Sequence, residues 1–215
     1  MGSERAESPR SYTGLLLDYG GVLTTNLFDS FAAFCEHEGL PRDALARAFR
    51  ENNSCKELLI ALETGRLGEQ EFEVRLGAIL GVEPKDMIVR LFAGSEPDPL
   101  MSAGVREARR AGVRTGLISN SWGTTRYDRE LLDELFDAVV ISGEVGIRKP
   151  APGIYKMALE RLEVAPGACV FVDDLPFNLA PAAAMGMATI HHVSSEQTVA
   201  ELERLLGLRL RHSVG

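Results

Sequence analysis

Five short apolar runs recur along the chain and predict five β-strands. They read LLLDYG at 15–20, TGLISN at 115–120, FDAVVIS at 136–142, ACVFVDD at 168–174 and ATIHHV at 188–193. Each of the last four follows a stretch in which apolar residues recur with helical spacing. Strands that alternate with helices are typical of a parallel sheet with helices on both faces. The sequence therefore predicts an α/β, Rossmann-like core.

The region between the first two strands has a different pattern. Four segments with helical spacing, at 27–39, 41–53, 69–81 and 84–94, occur there without a convincing strand. Prolines at 97 and 99 disfavour the continuation of a helix and mark the return to the core. We therefore expect a core domain formed by residues 1–25 and 98–215, with a small α-helical cap at 26–97 inserted after the first strand.

Composition limits the classes of partner. The chain has 215 residues, 45% of them apolar, which suits one compact unit. Its net charge of −8 argues against nucleic acid or an anionic membrane surface as a partner. No run approaches the roughly 18 apolar residues of a membrane span, and the first residues lack a hydrophobic signal region. We expect a cytoplasmic protein whose first ten or so residues are disordered, and no disulfide framework among its three widely spaced cysteines.

Polar side chains cluster where the predicted strands end. Asp18 follows the first run, Ser119 and Asn120 close the second, and Asp173 and Asp174 close the fourth. Open parallel sheets bind their ligands at the carboxyl ends of the strands, so these residues are candidates for one site.

The residue types at these ends suit phosphate and metal chemistry. Adjacent carboxylates such as Asp173 and Asp174 are unfavourable without a cation, and Mg²⁺ prefers hard oxygen ligands. Free backbone N–H groups near Ser119 favour a phosphate, although a helix N-cap explains this serine equally well. Lys149, in a proline-rich loop, supplies a positive charge that can neutralise a carboxylate and a phosphoryl group.

Four segments together resemble the motifs of the haloacid dehalogenase-like (HAD) hydrolase superfamily. In chain order they are DYGGVLT, LISNS, the lysine of RKPAPGIY, and VFVDDLPFN, and the insertion falls where that family has a helical cap. The resemblance implies that Asp18 attacks phosphorus to form an aspartyl-phosphate, which water then hydrolyses. It also implies that Asp18, the backbone carbonyl of Gly20 and Asp174 hold Mg²⁺.

The same resemblance implies roles for the remaining residues. Ser119, the amide of Asn120, and Lys149 would bind the phosphoryl oxygens, and Lys149 would also contact the nucleophile. Asp173 and Asn178 would support the metal ligands from behind. The expected partner is a small phosphorylated molecule, such as a sugar phosphate.

Gly20 departs from the family pattern. Phosphatases that resemble this chain usually carry an aspartate two residues after the nucleophile, where it protonates the leaving group and later activates water. General acid–base catalysis contributes about 10²–10⁴-fold. Three hypotheses follow: a phosphatase whose leaving group needs little protonation or whose acid comes from the cap, a 2-haloacid dehalogenase-type hydrolase that uses Asp18, and a non-catalytic HAD-fold binding module.

Few cap residues are candidates for the site. The TGR turn at 64–66 resembles the loop that family members point at the active site, so Arg66 is a candidate substrate contact. Phe28, Phe31 and Phe34 share helical spacing, which predicts that they form the interior of the cap. Trp122, just after LISNS, is expected to line the cleft or to pack against the core.

Overall fold

Five parallel strands form the sheet at the centre of the structure, a computed structural model that describes residues 12–124 and 127–211. The expected disordered start lies outside these residues. The sheet has the order β3-β2-β1-β4-β5. Its strands are β1 Gly14–Leu17, β2 Arg114–Ser119, β3 Ala138–Ile141, β4 Cys169–Asp173 and β5 Ala188–His191. All five predicted strands are confirmed.

Five helices follow β1 before the chain returns to the core at Pro97. They are α1 Leu27–His37, α2 Ala44–Glu51, α3 Asn53–Glu63, α4 Glu69–Leu80 and α5 Met87–Leu91. The sequence pattern predicts four of them and misses α3. A single residue, Asn52, separates α2 from α3, and its side chain accepts hydrogen bonds from the backbone of Ser54 and Cys55. This N-cap starts a new helix where the pattern indicates an end.

Six further helices surround the sheet. They are α6 Pro99–Arg110, α7 Arg129–Leu135, α8 Ser142–Val145, α9 Pro152–Leu162, α10 Pro176–Ala184 and α11 Ser195–Leu206. Side chains alternate along β1, so Leu15 and Leu17 join the apolar cluster on one face while Leu16 joins the cluster on the other. All three are fully buried, which confirms a sheet covered on both faces. Within the described ranges, no helix combines the length and apolar character that crossing a bilayer requires.

The connecting segments and Trp122 tie the helical region to the core. Its two connecting segments run side by side, where Thr25 N donates to Glu96 O (2.8 Å) and Asp98 N donates to Leu23 O (2.8 Å). Trp122, which follows β2, inserts among aromatic rings of the helical region. Its ring centroid lies 5.1–5.7 Å from those of Phe31, Phe49, Phe72 and Phe92. Trp122 thus lines the cleft, as expected, but it packs against the helical region and not against the core. The exact domain boundaries stay a prediction.

Candidate functional site

Three aspartates meet at the carboxyl edge of the two central strands. Asp18 directly follows β1, and its N–H donates to the carbonyl of Val172 on β4 (2.9 Å). Asp173 ends β4, and Asp174 follows it. One carboxylate oxygen of each aspartate lies within 4.8 Å of those of the other two. The structure therefore brings together the three acids that the sequence placed at strand ends.

The ammonium of Lys149 lies between two of these carboxylates. Its Nζ is 2.8 Å from Oδ1 of Asp18 and 2.7 Å from Oδ2 of Asp173, and the side chain is fully buried. Burial by itself lowers the pKa of Lys149, but the two carboxylates raise it above its ordinary value. The lysine is therefore charged, and it supplies a positive charge to the base of the site.

Asn120 holds Lys149 in place. Its Oδ1 accepts a hydrogen bond from Lys149 N (2.8 Å), and its Nδ2 donates to Lys149 O (3.0 Å). Because the side chain makes these two bonds to Lys149, we expect the backbone N–H of Asn120 to make the predicted contact with phosphate.

The site is crowded with negative charge. Burial raises the pKa of Asp18 to about 7; Asp173 and Asp174 also raise it, and Lys149 opposes them. Burial and Asp173 raise the pKa of Asp174 to about 6. One ammonium faces three carboxylates, so an added cation would relieve their repulsion. The hard oxygen donors fit Mg²⁺.

Asp173 and Asp174 have different surroundings. Asp173 is fully buried, and its oxygens accept hydrogen bonds from Lys149, from Leu175 N (2.9 Å) and from Nδ2 of Asn178 (2.9 and 3.2 Å). Asp174 is only partly buried and lines the open cleft. This geometry suits Asp174 to bind a cation directly, with Asp173 and Asn178 fixing the arrangement from behind.

Gly20 and Gly21, in the turn after Asp18, lie close to other parts of the site. Gly21 has φ +77°, and a Cβ there would lie 2.6 Å from Oδ2 of Asp174, so a side chain would collide with the acidic loop. A Cβ on Gly20 would overlap Cδ1 of Leu27, the first residue of α1. Leu27 thus occupies the space that the side chain of the absent aspartate would need.

Ser119 pairs with a residue that sequence reasoning missed. Its buried Oγ lies 2.8 Å from Oη of Tyr127. Residues 120–124, which follow β2, are not helical, and the next helix in the described part of the chain begins at Arg129. The expected strand-to-helix junction at Ser119 is therefore wrong. Ser119, Asn120 and Tyr127 line a small cavity of about 170 Å³, which shares Gly20 and Asn120 with the main cleft.

The structure does not bring Arg66 to the site, which corrects that prediction. Arg66 is exposed, its Nε donates to Oγ1 of Thr64 (2.9 Å), and it lines a separate groove between α3 and α4. The TGR turn does touch the core, because a Cβ on Gly65 would overlap the carbonyl oxygen of Gly143. The turn reaches the core through its backbone, and the arginine points elsewhere.

Glu63, the last residue of α3, lies where Arg66 was expected. It is 5% exposed and lines the same cleft as Asp18 and Gly20. Its Oε2 lies 2.8 Å from Nε of Arg148, but that N–H donates to the carbonyl of Lys149 instead (3.2 Å). Within the described residues, Oε2 therefore has no hydrogen-bond partner.

The ionisation of Glu63 is also perturbed. Burial raises its pKa to about 7, although Arg148 and Lys149 oppose the shift. Sequence reasoning missed this residue together with its helix. The available signal was a single carboxylate at the end of the apolar run LLIALE.

A cleft of about 740 Å³ opens above these groups, between the helical region and the core. Asp18, Lys149 and Asp174 line its base, and large apolar side chains line much of the rest. They include Leu27, Phe28, Phe31, Phe49, Trp122 and Phe177. The prediction that Phe28, Phe31 and Phe34 form the interior of the cap is correct for Phe34 and in part for Phe31, which packs against the same cluster and also lines the cleft, whereas Phe28 faces the cleft.

Known proteins match this chain over most of its length. The family model of haloacid dehalogenase-like hydrolases matches residues 12–186, which confirms the resemblance of the motifs. Phosphatase MT3486 of Mycobacterium tuberculosis is 32% identical and covers 77% of this chain and 80% of that protein. Sesquiterpene phosphatase astK of Aspergillus oryzae is 30% identical and covers 67% and 77%, respectively. Mouse acyl-CoA dehydrogenase family member 10 is 28% identical over 95% of this chain, which spans only 20% of that larger protein.

Solved structures share the fold. A HAD-like family hydrolase from Porphyromonas gingivalis superposes with a TM-score of 0.69 at 24% identity and covers 90% of this chain and 97% of that one. A HAD family enzyme from Bacteroides thetaiotaomicron, crystallised with magnesium and inorganic phosphate, has a TM-score of 0.59 at 20% identity and covers 82% and 92%. A structure described as a dehalogenase has a TM-score of 0.64 at 20% identity and covers 95% and 100%. At these identities the likeness concerns the fold.

Replacing Lys149 tests the charge balance at the base of the site. We expect Lys149→Met to lower the free energy of unfolding by about 3–5 kcal/mol, because it leaves buried carboxylates without their counter-charge. Urea unfolding at neutral pH in EDTA measures the change. Lys156→Met, at an exposed position on α9, is the control and should shift stability by less than about 0.5 kcal/mol. Equal effects of the two substitutions would contradict the ion-pair interpretation.

Proposed function

We propose that this chain, which belongs to the haloacid dehalogenase-like hydrolase family, is a Mg²⁺-dependent phosphatase that hydrolyses a small phosphorylated metabolite through an aspartyl-phosphate on Asp18. The observation that carries the proposal is the grouping of three carboxylates at the base of a cleft, two of them paired with one buried lysine. Two relatives named phosphatases, each at least 30% identical and matched over most of both chains, support the same reaction.

The metal would be held by Asp18, the backbone carbonyl of Gly20 and Asp174. When bound, Mg²⁺ would neutralise charge on the phosphoryl oxygens and on the carboxylates. An enzyme from Bacteroides with the same fold was crystallised with magnesium and inorganic phosphate, which supports the proposal that Mg²⁺ and a phosphoryl group bind together at this site.

The chain's own residues account for the transfer step. A carboxylate oxygen of Asp18 forms the new bond to phosphorus while the bond from phosphorus to the ester oxygen breaks. Lys149 holds the nucleophile and offsets negative charge on the phosphoryl group, with Ser119 and the backbone amide of Asn120 binding its oxygens. The ester oxygen leaves with the electron pair and needs a proton. Water then attacks phosphorus while the bond from phosphorus to Asp18 breaks, which restores the Asp18 carboxylate and releases inorganic phosphate. The proton that the water loses returns to the group that protonated the ester oxygen.

We assign the role of donating this proton to Glu63. Gly20 brings no acid to the turn after Asp18, and the side chain of Leu27 lies in the space beside it. Glu63 lines the same cleft and is buried, and its Oε2 is ion-paired with Arg148 but accepts no hydrogen bond from the described residues. Its pKa of about 7 leaves a large share protonated at neutral pH, as a general acid requires.

Two other functions remain as alternatives. A 2-haloacid dehalogenase releases halide, which needs no proton, and this suits Gly20; the crowding of Asp18, Asp173 and Asp174 favours a metal-dependent reaction instead. A non-catalytic binding module would keep the fold and the carboxylates without turning over a substrate. A sugar phosphate remains one candidate among phosphatase substrates.

Trapping the intermediate tests the reaction class. With acetyl phosphate and Mg²⁺, acid quenching followed by mass spectrometry should find a phosphoryl group on Asp18, because the acyl phosphate donates readily without a general acid. Asp18→Asn and addition of EDTA should each abolish the signal, whereas Asp133→Asn, at an exposed position on α7, should keep it. Chloride release from a 2-haloacid in EDTA would establish the dehalogenase instead. Absence of both reactions would favour the binding module.

Substituting Glu63 tests the source of the proton. We expect Glu63→Gln to lower kcat for butyl phosphate by about 10²–10⁴-fold and to change kcat for p-nitrophenyl phosphate little, because the nitrophenolate leaves without protonation. Wild-type activity on butyl phosphate should fall as pH rises through about 7, where Glu63 loses its proton, and the variant should lack this decline. Glu57→Gln, on the same helix but outside the cleft, is the control. An equal loss on both esters would indicate a structural role.

The missing aspartate can be supplied in the Glu63→Gln background. Gly20→Asp with Leu27→Ala should raise butyl phosphate hydrolysis by about tenfold or more over Glu63→Gln alone, because the truncation opens space for the new carboxyl group. Gly20→Asp without the change at Leu27 should give little rescue. Steady-state rates for the three proteins provide the comparison. Equal rescue with and without Leu27 would show that this side chain does not block the position.

A further inference from the structure

The walls of the active-site cleft are unusually apolar for a phosphate site. Above the charged base, α1 and α2 contribute leucine, phenylalanine and alanine side chains, and the core contributes Trp122, Leu175 and Phe177. At about 740 Å³, the cleft lies in the range of roughly 300–1,000 Å³ that binds drug-sized ligands. It is therefore large enough for a leaving group much bigger than the phosphate itself.

Two aromatic side chains stand exposed in this cleft. Phe28 on α1 is 53% exposed, and Phe177 on α10 is 54% exposed. One belongs to the helical region and the other to the core, and both line the same opening. Exposed apolar surface that continues into a cleft is typical of a ligand-binding groove. A ligand that extends from the charged base would cover both rings.

The apolar surface begins next to the nucleophile. Leu27 packs against Gly20, two residues after Asp18, and lines the cleft. The first atoms of the leaving group would therefore contact hydrocarbon. A sugar carries hydroxyl groups on the carbons next to its phosphate. Burying a hydroxyl without a hydrogen bond costs about 1–3 kcal/mol by protein mutational data.

Several charged side chains that line the cleft already form ion pairs, although Asp29 on α1 and Arg50 on α2 line it as well. Arg42 forms an ion pair with Glu36 (2.9 Å), and Asp43 forms one with Arg47 (3.6 Å). Arg148 pairs with Glu63. These pairs reduce the number of polar groups free to bind sugar hydroxyls.

We propose that the substrate is a phosphate monoester of a long aliphatic or isoprenoid-like alcohol, whose phosphate sits at Asp18 and whose chain lies along the apolar walls formed by α1, α2 and Phe177. This inference rests on the proposed phosphatase function and narrows its substrate class. The leaving group is then an alkoxide, a poor leaving group that depends on the proton from Glu63. A large apolar cleft and a buried acid are thus complementary requirements of one substrate.

A chain-length series tests the proposal. We expect kcat/KM to rise from ethyl through butyl to octyl phosphate, with a limit of about fourfold for each methylene fully buried, and glucose 1-phosphate and glucose 6-phosphate to fall below butyl phosphate. All esters are used below their critical micelle concentrations. A flat series, or a preference for either sugar phosphate, would overturn the inference.

Binding of non-hydrolysable analogues separates this inference from the reaction itself. The Kd of ethyl, butyl and octyl phosphonate for the Mg²⁺-loaded protein, measured by calorimetry, should fall with chain length whether or not turnover occurs. If the Kd falls while no phosphoryl group is trapped on Asp18, the substrate class stands and the phosphatase reaction fails. If acetyl phosphate labels Asp18 while the Kd is independent of chain length, the reaction stands and the substrate class fails.

Substitutions at the two exposed rings test where the hydrocarbon chain of the substrate binds. We expect Phe28→Ser and Phe177→Ser together to lower the ratio of kcat/KM for octyl over ethyl phosphate by about tenfold, because both rings lose apolar contact with the longer ester. Val74→Ser is the matched control, since Val74 is also 54% exposed but lies on α4 outside the cleft. An unchanged ratio in the double variant would show that the hydrocarbon chain does not contact these rings and would overturn its assignment to this part of the cleft.

Discussion

The buried ion pairs of Lys149 are the constraint on which the site depends. Asp18 and Asp173 lie on neighbouring strands, and their carboxylates could not share one buried edge without a counter-charge, because an unpaired buried ion costs several kcal/mol. The lysine reaches them because Asn120, at the end of β2, binds its backbone on both sides. The central position of β1, between β2 and β4, brings these three segments to one point.

The helical region changes the chemistry of that edge as well as covering it. Leu27 occupies the space beside Gly20, and Glu63 brings a carboxyl group to the same cleft from the end of α3. The two contributions are consistent with the proposed function, because Leu27 lies where the usual aspartate would project and Glu63 is the proposed replacement for it. Trp122 packs among four aromatic rings and fixes the helical region relative to the loop after β2. Glu63 is therefore held at the site by packing that is independent of substrate.

Most of the fold and the base of the site could be predicted from the sequence, for a physical reason. Strands buried on both faces read as continuous apolar runs, and a carboxylate that ends such a run must lie at the sheet edge, as Asp18 and Asp173 do. The side chains that form the apolar walls of the cleft could not be predicted in this way. Helical spacing shows that Phe28 and Phe31 share a face, but it does not show whether that face meets another helix or a cleft. Arg66 was misplaced and Glu63 missed because the end of α3, which the pattern did not reveal, sets the direction of both.

The apolar walls of the cleft influence the ionisation of its carboxyl groups as well as the binding of the substrate. Burial is the largest cause of the raised pKa of both Asp18 and Glu63, so the surroundings that would bind a hydrocarbon chain also favour the protonated form of the acid. A chain that fills the cleft would exclude water and strengthen the attraction between Lys149 and the phosphoryl group. A small polar ester would leave water in place and gain less from the same charges. Recognition of the leaving group and stabilisation of the reacting charges are therefore coupled through the exclusion of water from one cleft.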